Sequence, residues 1–259
     1  MSDNGSESIT RHSFERQTEL FTGDDAPFAH TTPSPNAWIG TLEPDMVVLD
    51  VACGAAHVAE QIAPCVRQVV GVDVTRALLD LGAERLRAAE TTNVLLQEGN
   101  GTALPFVDAS FDVVVCRGAL HHFPDPARAV AEMARVCRPD GHVAVSDMVA
   151  PSARTRDAFD ALHRLMDPSH AGVLLDVELA ALLGDTVGPI TAREAQPAFR
   201  LPIEHILTEV ADRDAVMSTL RAELDGGDPT GFDPRIEGDE VTVAFATAVV
   251  RARRAVSAG

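Results

Sequence analysis

Val47-Val48-Leu49-Asp50-Val51-Ala52-Cys53-Gly54-Ala55-Ala56-His57-Val58-Ala59 is the stretch whose reading decides the fold. An apolar run ends in an acid, a turn of small residues comes next, and a helical pattern begins. That order is a buried strand, a tight turn and a helix start. It is the opening unit of a doubly wound α/β sheet, and such a turn lets backbone N–H groups approach a ligand closely. Many proteins of this architecture share it, so its weight depends on the residues downstream and their distances from it.

The downstream pattern is regular. The strand spans 46–51 and its helix runs to about residue 62. A second strand over 68–72 ends at Asp73, and a helix covers about 76–89. Further strands lie at 93–97, 111–116 and 142–146. The loop Glu98–Phe106, a helix over 126–136 and a turn at Pro139-Asp140-Gly141 lie between them. Strands separated by single helices imply a parallel sheet covered on both faces. Ligands in such sheets sit beyond the carboxyl ends of the strands, and every candidate residue below falls at such an end. After Pro151 the pattern turns helical, with helices at 155–166, 177–183 and 204–224, a strand over 190–194 and a last strand over 240–251. Residues 223–239 read as loop. At the other end, residues 1–12 read as disordered, 13–21 as a short helix, and about 37–42 as a second one.

Composition narrows the classes of function. The 259 residues carry a formal net charge of −18, from 39 acidic and 21 basic residues, and all the basic ones are Arg. The absence of Lys and Tyr excludes a Lys Schiff base and a Tyr general base. The charge argues against nucleic acid as a partner, since that needs a basic surface. Four scattered cysteines, Cys53, Cys65, Cys116 and Cys137, form no Cys-x-x-Cys pair and read as reduced thiols of a cytoplasmic protein. The polar N-terminus does not read as a signal peptide, and the apolar run 241–250 is too short to cross a bilayer. No grouping of His, Cys and carboxylates has metal-ligand spacing, so no metal is expected.

Two residues point to a nucleoside. Asp73, about 20 residues after the turn, is placed to accept from ribose hydroxyls, the alternative being an acid that simply ends a strand. Asn100, after the third strand, can accept from adenine's exocyclic amine and donate to a ring nitrogen, the alternative being a turn asparagine between Gly99 and Gly101. The spacing Asp50-x-Ala52-x-Gly54-x-Ala56 lacks the glycines that cradle a pyrophosphate, and no Gly-x-x-x-x-Gly-Lys loop is present. An adenosine ligand without phosphates suits the chain better.

Further segments are Gly71-Val72-Asp73-Val74-Thr75, Gly99-Asn100-Gly101-Thr102-Ala103-Leu104-Pro105-Phe106 and Ser110-Phe111-Asp112-Val113-Val114-Val115-Cys116-Arg117. Leu120-His121-His122-Phe123-Pro124-Asp125-Pro126 and Arg138-Pro139-Asp140-Gly141 complete the set. With the opening stretch they cover roughly residues 45–150. In this order and spacing the chain resembles the class I S-adenosylmethionine-dependent methyltransferases, in particular the branch that includes the ubiquinone/menaquinone biosynthesis methyltransferases. The resemblance implies a Rossmann-like, doubly wound seven-stranded sheet, mostly parallel with an antiparallel last strand, under a helical lid. It implies S-adenosyl-L-methionine as cofactor and S-adenosyl-L-homocysteine as product. Asp50, Ala52, Cys53, Gly54, Asp73, Val74, Asn100, Gly101, Thr102 and Arg117 would line the cofactor. Ala56 departs from the family's pattern where a glycine is usual, and its methyl is expected to narrow the pocket or shift the methionine tail. Asn100 stands where the adenine-site acid is usual.

Methyl transfer is an in-line displacement that needs a base only when the nucleophile must lose a proton. His121 and His122, after the fourth strand, are the catalytic candidates because histidine titrates near neutrality. The alternative is that one of them points inward and holds the loop. Asp147 can orient a substrate hydroxyl or hold a loop, and His170 can reach the substrate from the lid. Arg117 can instead sit in a structural ion pair. His57 reads as structural, opening its helix.

The chain divides on this reading into an N-terminal helical segment (1–44), a cofactor-binding core (45–150), a substrate-facing lid with late core elements (151–235), and the last strand with its tail (236–259). Phe21, Phe28, Trp38, Leu162, Met166, Leu174 and Leu175 suggest a hydrophobic small-molecule acceptor, the alternative being that they only hold the lid helices to the sheet. The expected protein is a cytoplasmic methyltransferase, with no membrane partner and with a homo-oligomer left open. The alternative is the same fold recruited for non-methylating chemistry such as a cyclisation, with a structural or absent cofactor. A non-catalytic binding protein is a third reading.

Overall fold

The computed structural model describes residues 3–18 and 35–255. Phe21 and Phe28 lie outside these residues, as does the end of the helix expected over 13–21. The strands are β1 (Val47–Val51), β2 (Gln68–Asp73), β3 (Val94–Glu98), β4 (Phe111–Arg117), β5 (Cys137–Met148), β6 (Ile190–Pro202), β7 (Arg235–Glu237) and β8 (Glu240–Arg253). The helices are α1 (Asp3–Arg16), α2 (Pro35–Trp38), α3 (His57–Ile62), α4 (Arg76–Ala88), α5 (Pro126–Val136), α6 (Arg156–Met166), α7 (Asp176–Thr186) and α8 (Arg213–Leu224).

The sheet order is β3-β2-β1-β4-β5-β8-β6, with short β7 paired to β8. β1 pairs parallel with β2 and β4, while β8 runs antiparallel to β5 and β6. The main path thus has the seven strands and the antiparallel last strand that the resemblance implies. The order reverses between β1 and β4, which opens a crevice at their carboxyl ends.

Alternation along the central strands fills two cores. On β4, Val114 and Cys116 face one side with Val130, Met133, Leu179 and Leu183 of α5 and α7. Val113 and Val115 face the other, with Trp38, Ala59 and Ile62. Each fully buried Val, Leu, Ile or Met side chain among them contributes about 1.5–3 kcal/mol. Strands buried on both faces read as continuous apolar runs, which is why β1, β2 and β4 are legible. α5 begins as its sequence suggests, with Pro126 in its first turn and Asp125 capping the Arg128 amide at 3.1 Å. A third core joins Phe159, Leu162 and Met166 of α6 to Val216 and Leu220 of α8 and to Phe232 and Phe245.

Four expectations need correction. Residues 3–12 are helical rather than disordered, because α1 is pinned to the body by side-chain contacts described below. The Pro139–Gly141 turn survives inside a longer β5: Asp140 has φ 64° and the register shifts opposite it, between Phe111 and Val113. The helix expected over 204–224 is a 3-10 turn (Ile203–His205) and a separate α8, which starts where Asp212 caps the Ala215 amide at 3.2 Å. Within the expected loop 223–239, β7 forms a hairpin with β8 across Gly238 at φ 64°.

Candidate functional site

The turn after β1 is left-handed at alternate residues: Ala52 at φ 56°, Gly54 at 53° and Ala56 at 62°. An alanine there costs about 1–2 kcal/mol, so the turn is held by its surroundings. The Cys53 amide donates to Val72 O at 3.1 Å and the Gly54 amide to Asp73 Oδ2 at 2.9 Å. Ala52, Cys53, Gly54, Ala55 and His57 line a cavity of about 590 Å³, but Ala56 does not. Ala56 is fully buried, and a Cβ at Gly82 of α4 would come within 3.1 Å of its Cβ. The expectation that this methyl narrows the pocket is therefore corrected: it packs against α4.

Acids at the ends of β1 and β2 dominate this end of the cavity. Asp73 accepts from Gly54 and, at 2.8 Å, from the Thr75 amide; burial pushes its pKa up, opposed by these backbone bonds. Each oxygen keeps lone-pair capacity. Asp50 is 1% exposed and its Oδ2 is buried with no hydrogen-bond partner. Burial raises its pKa to about 7, with Arg117 opposing and Asp73 adding to the rise. Arg117 also lines the cavity; burial lowers its pKa, opposed by Asp50 and Asp147. Asp50 is among the residues lining the cavity, and a buried acid there suits a cationic group.

Asn100, Gly101 and Thr102 also line the cavity, as does Val74. Asn100 Oδ1 accepts from both the amide and the hydroxyl of Thr102, each at 2.8 Å, and its Nδ2 donates to Glu7 Oε2 at 2.9 Å. The turn-asparagine alternative thus describes its carbonyl. A Cβ at Gly101 would fall 2.9 Å from Phe123 Cζ, so only glycine lets that ring close the turn.

At the other end stand the histidines, and both His121 and His122 line the cavity. His121 Nδ1 lies 2.5 Å from Asp147 Oδ1. Burial alone would lower the His121 pKa, but the charge and hydrogen bond of Asp147 outweigh it and raise it. Burial likewise opposes ionisation of Asp147, but His121 and backbone amides hold its pKa low. His122 goes the other way: burial and the charge of His121 push it down to about 3. Its Nδ1 lies 3.0 Å from Ser169 Oγ, which donates to Asp167 Oδ1 at 2.7 Å. The two neighbours are thus shifted in opposite directions: Asp147 favours the protonated form of His121, and burial with the charge of His121 keeps His122 neutral.

Two substrate candidates are moved by the structure. Asp147 accepts from His121 and from the amides of Met148 (2.6 Å), Leu120 (2.5 Å) and Ala119 (3.2 Å), which fills its lone pairs and leaves none for a substrate hydroxyl. Its place is to hold the loop and orient His121. His170 is not among the lining residues; it binds Asp160 at 2.7 Å and stacks behind His163, ring centroids 4.0 Å apart. His163 takes the wall position instead. Sequence reasoning misses His163, one of the inward residues of α6. It also misses Phe199, Phe245 and Glu7, because it ends β6 too early, takes β8 as sheet only and takes residues 1–12 as disordered. The alternation of β8 is the signal that could have found Phe245.

Among the described residues, no group of three or more His, Cys, Asp or Glu is arranged to hold a metal ion. The four cysteines are free thiols, and no described helix is long and apolar enough to cross a membrane.

Comparison with known proteins agrees with this geometry. A methyltransferase domain model matches residues 49–145. An uncharacterised methyltransferase, YcgJ of Bacillus subtilis, is 41% identical over 124 residues, 48% of this chain and 49% of that protein. Demethylmenaquinone methyltransferase of Listeria welshimeri is 37% identical over 126 residues, 47% and 53% of the two chains. The chain thus spans about half the length of the curated relatives it matches. In three dimensions the YcgJ crystal structure superposes with a TM-score of 0.73 at 24% identity, over 83% of this chain and 94% of that one. The [4+2]-cyclase SpnF superposes at 0.58 and 20% identity, over 83% and 77%. The chain thus has the fold of these methyltransferase structures, and residues 49–145 are the part that matches the methyltransferase domain model.

Proposed function

We propose that the chain is a cytoplasmic S-adenosylmethionine-dependent methyltransferase acting on a small, largely hydrophobic organic acceptor. The observation that carries this is a cavity of about 590 Å³ joining the buried acids Asp50 and Asp73 to an apolar chamber that holds His121. When bound, S-adenosylmethionine supplies a sulfonium methyl group to a nucleophile in line with it.

The chain's own residues then have separable tasks. Asp50 would hold the cofactor's ammonium group, and Asp73, which braces the Gly54 turn, would accept from the ribose hydroxyls. Phe14, Met166, Phe199, Ile206 and Phe245 surround the acceptor and exclude water. His121 takes a proton through Nε2 when the nucleophile must lose one, because Asp147 occupies Nδ1. His122, held neutral and tied to Ser169, positions the acceptor. Demethylmenaquinone methyltransferase, a relative by name, supports an acceptor of hydrophobic character. Net charge of −18 speaks against a nucleic-acid acceptor.

The fold likeness to a [4+2]-cyclase favours one second reading, in which the same cavity serves non-methylating chemistry. The departure at Ala56 adds nothing to that reading, since Ala56 packs against α4 and does not line the cavity. Calorimetric titration with S-adenosylmethionine and S-adenosylhomocysteine, and then transfer of a labelled methyl group to a panel of phenolic and quinol acceptors, tests the proposal. Binding with transfer supports it; binding of neither ligand overturns it; binding with turnover but no labelled product favours the second reading.

A further inference from the structure

α1 lies across the cavity at the Asn100 turn, and its contacts there are specific. Glu7 lines the cavity, its Oε2 accepting from Asn100 Nδ2 at 2.9 Å and its Oε1 from Arg11 at 2.9 Å. Arg11 also donates through Nε to Val74 O at 3.1 Å, so the same residue ties the helix to the end of β2. Ser13 anchors the helix further along by donating to Asp167 Oδ1 at 2.8 Å.

The turn itself has spent its side-chain acceptor. Asn100 Oδ1 already takes both donors of Thr102. An adenine ring placed here presents an exocyclic amine, a donor that loses affinity if buried without an acceptor. The Glu7 carboxylate has roughly four lone-pair sites, of which Asn100 and Arg11 use two.

We propose that Glu7 is the acceptor for the exocyclic amine of the adenine, so that the N-terminal helix supplies the base recognition that the β3 turn cannot. This rests on the reading that the cavity holds S-adenosylmethionine. Asn100 then acts as the post that holds the Glu7 carboxylate at the turn, and Arg11 as the tie that fastens α1 to the end of β2. α1 is thereby part of the cofactor site as well as its cover.

The test compares two ligands by calorimetry: S-adenosylhomocysteine, and its purine-riboside analogue in which hydrogen replaces the exocyclic amine. The unsubstituted protein should prefer the first by about tenfold or more, the worth of a hydrogen bond to a charged group. Glu7→Ala should bring that ratio to about one, and Glu7→Gln, which keeps a neutral acceptor, to an intermediate value. Arg11→Ala loosens the helix without removing the acceptor, so it should weaken both ligands alike and keep the ratio. A ratio near one in the unsubstituted protein, or one unchanged by Glu7→Ala, overturns the proposal. Equal weakening of both ligands by Glu7→Ala, the pattern expected of Arg11→Ala, also overturns it. If the unsubstituted protein binds no S-adenosylhomocysteine, the functional reading fails, and this inference with it.

Discussion

Replacing Asp147 with Asn should unfold the protein more easily, and by an amount that depends on pH. The carboxylate is 3% exposed and accepts from four donors: His121 Nδ1 and the amides of Ala119, Leu120 and Met148. An Asn keeps one oxygen for two of them and presents an NH2 group to the others. Removing one partner of a buried ion pair costs about 3–5 kcal/mol, and a single mispaired buried amide about 1–3 kcal/mol. The sign is set by the shifts. His121 is raised above its ordinary 6.5, so its share is fully present below that value and is lost as pH rises through the folded-state pKa. Asp147 is held below 3.8, so its share is present above that value and is lost in stronger acid. The window therefore runs from about pH 4 to somewhat above 6.5. Urea denaturation, monitored by the fluorescence of the single and buried Trp38, reads the difference. Asp147→Asn should lose about 3–5 kcal/mol near pH 6 and only the amide share, about 1–3 kcal/mol, well above the His121 pKa. A loss that is the same at both pH values, or below about 1 kcal/mol throughout, would refute the ion pair as the source of the loop's stability.

Other parts of the site carry their own expected outcomes. Methyl transfer to an acceptor that must lose a proton should rise with pH through a midpoint above 6.5, and His121→Gln should flatten the profile and cost about 10²–10⁴ in kcat/KM, measured by product formation. Binding of S-adenosylmethionine near neutral pH should release protons, since Asp50 sits at about 7 and an ammonium beside it lowers that value; titrations in buffers of different ionisation enthalpy count them, and Asp50→Asn should abolish the release. Gly82→Ala should be destabilising despite a helix-propensity gain of about 1 kcal/mol. Its Cβ would meet the Ala55 carbonyl carbon and Ala56 Cβ at 3.1 Å, and overpacking costs about 1–3 kcal/mol. Ala56→Gly in the same chain should recover part of the loss, while alone it should leave S-adenosylhomocysteine affinity within about twofold, because Ala56 does not line the cavity; a tenfold change would put the Ala56 methyl back in the cavity.

The sequence discloses the core of the fold for a physical reason. β1, β2 and β4 are buried on both faces and therefore appear as unbroken apolar runs ending in Asp50, Asp73 and Arg117, so the site residues at their ends come with them. Elements held by long-range contacts are hidden. α1 is polar along most of its length, and what holds it is a set of partners far away in sequence, Asn100, Val74 and Asp167. β6 reads as ending at Glu194 because Gln196 and Pro197 follow, yet the strand continues past a register shift between Gln196 and Phe199. The choice between His163 and His170 is likewise invisible, because it depends on how α6 packs against the loop after it. Ala56 shows the opposite error: a departure at a turn position suggests the ligand as its cause, when the cause is the packing of α4 against the turn.

The central claim is that the cavity binds S-adenosylmethionine through the acids at the ends of β1 and β2. Calorimetric titration of S-adenosylhomocysteine into the unsubstituted protein and into Asp73→Ala tests it most directly. The account predicts saturable one-to-one binding by the former, weakened about tenfold or more in the latter, as expected for loss of a charge-assisted bond. Absence of binding by the unsubstituted protein, or equal affinity in Asp73→Ala, would contradict it.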